Sequence, residues 1–145
     1  MTVLDADLTA PPVATRPPVV VGLTMTDPLP GFPGHRDYVL VPADAESRLY
    51  WLQSLAADGP RFLAVRTEAF FPEYAPGLPA GLRAALDLDG PAQAELFCLV
   101  TVPGGDAAAA TVNLRAPVVV NPAAGRGAQV VLTDGAHSIR RPLRR

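Results

Sequence analysis

The sequence predicts an all-β protein: a small antiparallel β-barrel of about eight short strands with one short helix. Three observations carry that expectation. Short runs rich in β-branched and aromatic residues recur along the chain, as a pleated surface favours. The breaks between them, near 28–34, 42–46, 58–60, 103–106 and 122–127, are rich in Pro, Gly, Asp and Asn. Helical periodicity is confined to one stretch of about two turns. Closing the strands into a barrel removes the exposed edges that an open sheet of this kind would carry.

The elements follow in order. Residues 1–18 hold Pro11, Pro12, Pro17 and Pro18 and show no period, so they are expected to form a flexible N-terminal tail. The domain is expected over 19–143. Strands are expected near 19–24, 37–41, 48–54, 62–67, 94–102, 109–115, 117–121 and 128–133. In the last, Val130 and Leu132 share one face while Gln129, Val131 and Thr133 share the other. Residues 96–102 are apolar on both faces and call for cover on both sides. Tyr50 and Trp51 must point to opposite faces, so one of the two rings needs covering from outside. The helix begins near Pro79, sets Leu78, Leu82, Ala85 and Leu86 near one face, and ends at Gly90 and Pro91.

Composition narrows the function. A chain of 145 residues with 49% hydrophobic and 18% charged residues is one domain able to bury its own core. The formal net charge of −2 gives no global positive field to draw it onto nucleic acid or an acidic membrane. No apolar run approaches the ~18 residues of a membrane span. The single cysteine, Cys98, allows no internal disulfide, and the N-terminus lacks the pattern of a secretory signal. The chain is therefore expected to be cytoplasmic; it is expected to be a monomer when free, although composition does not fix that.

No catalytic constellation emerges, so no enzyme activity, metal or cofactor is expected. His35 and His137 are lone histidines in expected loops. Cys98 sits mid-strand beside Phe97 and Leu99, the place of a small buried apolar residue. Gly125, Arg126 and Gly127 lack the Gly-Lys-Ser/Thr ending of a phosphate loop. Arg140, Arg141, Arg144 and Arg145 read as a solubilising terminus. The features that suggest binding are aromatic. Phe70, Phe71 and Tyr74 fall in one expected loop with Glu73, where they offer contact area at low entropic cost or fold back to plug a barrel mouth. Phe32, between Gly31 and Pro33, either staples its loop to the core or joins a contact.

Several segments together resemble one family. Leu29-Pro30-Gly31-Phe32 is similar to the Gly-Leu-Pro-Gly-Phe opening of the FliW family. Residues 49–54, Leu-Tyr-Trp-Leu-Gln-Ser, resemble its Phe/Tyr-Trp-Leu-Gln-Ser strand, and 71–74, Phe-Pro-Glu-Tyr, its Phe-Pro-Asp/Glu-Tyr loop. Residues 101–103, Thr-Val-Pro, resemble its Thr-Val-Pro strand end. The longest match is 110–122, Ala-Thr-Val-Asn-Leu-Arg-Ala-Pro-Val-Val-Val-Asn-Pro, followed by Gly-Ala-Gln-Val-Val-Leu at 127–132 and Ile-Arg-Arg-Pro-Leu at 139–143.

The resemblance implies a small β-barrel that binds flagellin in the cytoplasm and also binds CsrA, an RNA-binding repressor of flagellin translation. Free protein of this family captures CsrA and relieves the repression; flagellin captures the family member and restores it. Such a circuit works because each complex changes the free concentration of the shared component. The contact surface is then expected to include Phe71, Glu73 and Tyr74, with Asn113 and Asn121 on or near strand faces. Those two asparagines have the alternative of satisfying turn backbone. Glu68, Glu73, Asp87 and Asp89 are available to steer a basic partner. The alternative function is a small β-barrel that binds nucleic acid or a ligand.

Overall fold

The computed structural model describes residues 21–90, 93–133 and 135–143. The expected N-terminal tail, the first residues of the expected first strand, Pro91, Arg144 and Arg145 lie outside the described residues. Nine strands and two one-turn helices are found among the described residues: β1 (Val21–Met25), β2 (Asp37–Pro42), β3 (Leu49–Ser54), β4 (Arg61–Arg66), α1 (Thr67–Phe70), α2 (Leu82–Ala85), β5 (Glu95–Thr101), β6 (Thr111–Val112), β7 (Val118–Asn121), β8 (Arg126–Gln129) and β9 (Arg141–Pro142).

Seven strands close a barrel. The sheet runs β4-β3-β2-β1-β8-β7-β5, and β4 pairs with β5 to complete the ring. Every pairing around it is antiparallel except β1 with β8, where Thr24 faces Arg126 and Met25 faces Gly127 in parallel register. Parity explains the exception. A closed ring with an odd number of strands cannot alternate direction throughout, so one neighbouring pair has to be parallel. The short strands β6 and β9 lie outside the ring as an antiparallel flap attached to the far end of β5.

The alternation expected from sequence builds the interior. Leu23 and Met25 of β1, Tyr38 and Leu40 of β2, Tyr50 and Leu52 of β3, Phe97 of β5 and Val118 and Val120 of β7 form one buried cluster. Tyr50 and Phe97 meet edge to face at 5.1 Å, an arrangement that adds about 0.5–1.5 kcal/mol beyond the area buried. Gly127 lines the same interior; a Cβ there would come within 3.1 Å of the Met25 sulfur. Arg66, 4% exposed, sets its Nε 3.8 Å from Glu95 Oε1 and its guanidinium over the Tyr50 ring at 5.5 Å.

Two smaller cores cover the barrel from outside. Leu82 and Leu86 of the α2 segment pack on Val119, Ala128, Val130 and Leu132. Phe71, Val112 and Leu114 pack on Val65 and Cys98. β7 is thus buried on both faces, whereas β5 is buried at Phe97 and Cys98 and only half-buried at Leu96, Leu99 and Val100, so the two-sided apolar run at 96–102 is covered in part. Tyr50 points in and is fully buried, while Trp51 points out and is covered by the Arg61 guanidinium 4.1 Å above its ring.

Some local expectations differ from the structure. The segment expected as a strand over 109–115 pairs only at Thr111 and Val112, because Ala107–Ala109 turn in a 3-10 helix under the Asp106 cap. Val130 and Leu132 share one buried face as expected, under Leu82 and Leu86, with Val131 exposed, but their backbone bonds go to the Pro117 and Arg115 carbonyls beyond the end of β8. The helix is one turn, and Ala85 faces outward although Leu82 and Leu86 face in.

Candidate functional site

The aromatic loop leaves β4 through α1, whose turn is closed by the Phe71 N–H donating to the Thr67 carbonyl at 2.7 Å. A second turn follows as the Tyr74 N–H donates to the Phe71 carbonyl at 2.9 Å. The loop folds back, but over the barrel wall rather than into its mouth. Phe71 is 8% exposed and lies over Val65 and Cys98 of β4 and β5. Tyr74 donates its hydroxyl hydrogen to the Leu114 carbonyl at 2.6 Å. Glu73, between them, is exposed.

The C-terminal segment completes this surface. The Arg141 guanidinium of β9 stacks over Phe71 at 4.9 Å, and the His137 ring meets Tyr74 edge-on at 5.1 Å. Arg141, though exposed, is therefore held on a ring and in a strand rather than frayed, and His137 has a ring partner rather than solvent alone. Neither role was legible in sequence; the only signal was that the 139–143 run belonged to the family pattern.

Downstream of Tyr74 the chain frames an apolar groove of about 390 Å³. Tyr74, Pro76, Leu78, Leu82, Leu88 and Leu96 line it, and Arg83 stands on its rim. Sequence reasoning placed Leu78 and Leu82 on a helix face but gave no sign that Leu88 and Leu96 would join them in an open surface.

The two asparagines work inside the fold. Asn121 is 2% exposed. Its Nδ2 donates to the Leu86 carbonyl at 2.8 Å and to the Asp87 carbonyl at 3.0 Å, and its Oδ1 accepts from the Ala123 N–H at 3.2 Å. These bonds tie the end of α2 to the β7–β8 turn, beside Asp87 at the strained φ of 58°. Asn113 is half-buried, and its Oδ1 accepts from the Arg115 N–H at 3.0 Å. The structure brings Phe71, Glu73 and Tyr74 into one loop; Asn113 is a backbone tie beside Leu114, the residue Tyr74 bonds, and Asn121 a backbone tie between the end of α2 and the β7–β8 turn.

Groups with chemical potential elsewhere are committed to structure. Burial pushes the Cys98 thiol up to about 12, against a smaller opposing effect of Tyr74, so it is no thiolate nucleophile at neutral pH. His35 Nδ1 lies 3.1 Å from Ser54 Oγ, a Ser–His pair in outline. Yet that oxygen also accepts from the Ala56 N–H at 3.1 Å, and Gly59 presses on it so closely that a Cβ would fall 2.1 Å away. No room is left there for an attacked carbonyl, and the pair pins two loops together. Phe32 staples the same loop to the barrel by meeting Phe62 edge-on at 5.4 Å. Among the described residues no group of three or more His, Cys, Asp or Glu is placed to hold a metal, and no helix is long and apolar enough to cross a membrane.

Known proteins match this architecture. The family model described as FliW protein matches residues 13–143. The flagellar assembly factor FliW of Moorella thermoacetica is 35% identical over 115 residues, which span 79% of this chain and 73% of that protein. The flagellar assembly factor FliW of Bdellovibrio bacteriovorus is 39% identical over 121 residues, 83% of this chain and 69% of that protein. A crystal structure of the flagellar assembly factor FliW superposes with a TM-score of 0.74 at 25% identity, covering 90% of this chain and 89% of that one. With the family model, the identities and the fold in agreement over most of its length, the chain belongs to the FliW family.

Proposed function

We propose that this protein is a cytoplasmic flagellar assembly factor that works by binding proteins: it holds flagellin, and in flagellin's absence it captures a CsrA-type repressor and so releases flagellin translation. The observation that carries the reading is the apolar groove beside an acidic, aromatic loop on the outside of a closed barrel. Such a surface suits a protein partner, because apolar contact area with a polar rim is what interfaces bury. Its relatives' description as flagellar assembly factors gives that partner its context.

Glu73 and the rim of Tyr74 form the contact in this proposal, and Glu73 supplies charge against a basic partner. Phe71, Asn113 and Asn121 act beneath the surface, holding the loop and the α2 segment in the shape the partner meets. The protein uses no cofactor and performs no covalent step. The test is a pull-down with the tagged full chain from motile cells. Recovery of flagellin, with a CsrA-type protein recovered when flagellin is depleted, supports the reading. Recovery of neither by folded bait overturns it.

A further inference from the structure

A second recess lies across the α2 turn from the groove, at the parallel seam between β1 and β8. It holds about 330 Å³ and is lined by Thr24, Met25, Arg36, Ala85, Gly125 and Arg126. Its backbone is self-satisfied: the Thr24 N–H donates to the Gly125 carbonyl, that of Met25 to the Arg36 carbonyl and that of Thr26 to the Gly127 carbonyl, each at 2.9 Å. The polar chemistry left to a ligand comes from the side chains.

Two arginines of the lining supply it. Arg36 Nη2 donates to the Thr26 carbonyl at 3.0 Å, and Arg126 Nη1 donates to the Ala85 carbonyl at 3.3 Å. Each bond orients the fork while using one of its five N–H donors. Arg48 and Arg66 face carboxylates, and Arg61 and Arg141 lie on aromatic rings. Arg36 and Arg126 have neither kind of partner among the described residues. Thr24 Oγ1 donates to Asp37 Oδ1 at 3.3 Å, which engages the carboxylate beside the recess.

In a chain of net charge −2, two anchored arginines lining one open recess, with no carboxylate or ring partner of their own among the described residues, form a local positive site. Guanidinium forks match the paired oxygens of carboxylate and phosphate. We propose that this recess is an oxyanion-binding site, taking a carboxylate or phosphate group between Arg36 and Arg126. The site is separate from the aromatic-loop groove and does not depend on the partner assigned to that groove. The α2 segment links the two, with Leu82 facing the groove and Ala85 the recess.

The test is a solution NMR titration of the ¹⁵N-labelled full chain at low ionic strength, following the arginine Nε–Hε signals. One arm uses inorganic phosphate; the other uses a blocked peptide of Asp and Glu. The proposal expects saturable shifts at Arg36 and Arg126 in at least one arm, and the tighter arm identifies the source of the oxyanion. R36Q and R126Q should each weaken binding about tenfold, as loss of a charge-assisted bond implies. R36K and R126K keep the charge, fall between, and carry the test if either Gln variant fails to fold. Arg83→Gln, on the groove rather than the recess, should leave oxyanion affinity unchanged. Absence of saturable shifts in both arms, equal shifts at Arg83, or unchanged affinity in the folded variants would each overturn the proposal.

Discussion

The Tyr74 hydroxyl bonds the Leu114 carbonyl at 2.6 Å across forty residues of sequence, and this one bond fastens the aromatic loop to the segment leading into β7. His137 packs edge-on against the same ring, so the loop, the β6–β7 connection and the C-terminal segment meet at Tyr74.

Tyr74→Phe keeps the ring and its contact with His137 but leaves the Leu114 carbonyl without that donor and the Cys98 thiol without its hydroxyl partner. The expected loss is about 1–2 kcal/mol, read as a lower urea midpoint at unchanged slope. A variant as stable as the parent would show that the bond does not hold the loop.

Asn121→Asp tests the asparagine's structural role. It replaces a donor to two carbonyls with a carboxylate facing them, in a site that is 2% exposed. The expected destabilisation is about 3 kcal/mol or more, larger than for Asn121→Ala, because an unpaired buried charge adds its desolvation. Thermal unfolding of both variants decides it, and equal losses would remove the electrostatic part of this account.

The Cys98 thiol gives a pH dependence with a definite sign. Its folded pKa of about 12 stands above the ordinary 9.0, so the stability tied to the neutral thiol is fully present below pH 9 and is lost as pH rises toward 12. Cys98→Ala removes this component. Between those limits the parent should lose stability more steeply than the variant, and parallel curves would contradict the buried-thiol reading. The native thiol should also resist alkylation until the protein unfolds.

Trp51 is the single tryptophan, and the Arg61 guanidinium covers it at 4.1 Å. Arg61→Ala should shift its emission to the red while costing only about 0.5–1 kcal/mol of stability. An unshifted spectrum would mean that other groups shield the ring.

Much of the barrel was legible because its signal is local. Tyr50 and Trp51 had to face opposite ways, and the run at 96–102 had to be covered twice. The parallel closure of β1 on β8 was not legible, since it follows from the number of strands in the ring and leaves no mark on either strand. β9 was missed because two residues cannot show a period, and Arg141 is given its place by Phe71, seventy residues earlier. The candidate loop was found through its aromatics. Its groove was not, because Leu88 and Leu96 join Leu78 and Leu82 only after the chain turns at the left-handed Asp87.

The most direct measurement of the central claim is calorimetric titration of purified flagellin monomer into the full chain, beside the Glu73→Arg variant. Saturable binding to the parent, weakened in a variant with an unchanged melting temperature, is the predicted result. No binding to the folded parent would contradict the assignment of this surface to a flagellar partner, and equal binding to both proteins would move the contact away from Glu73.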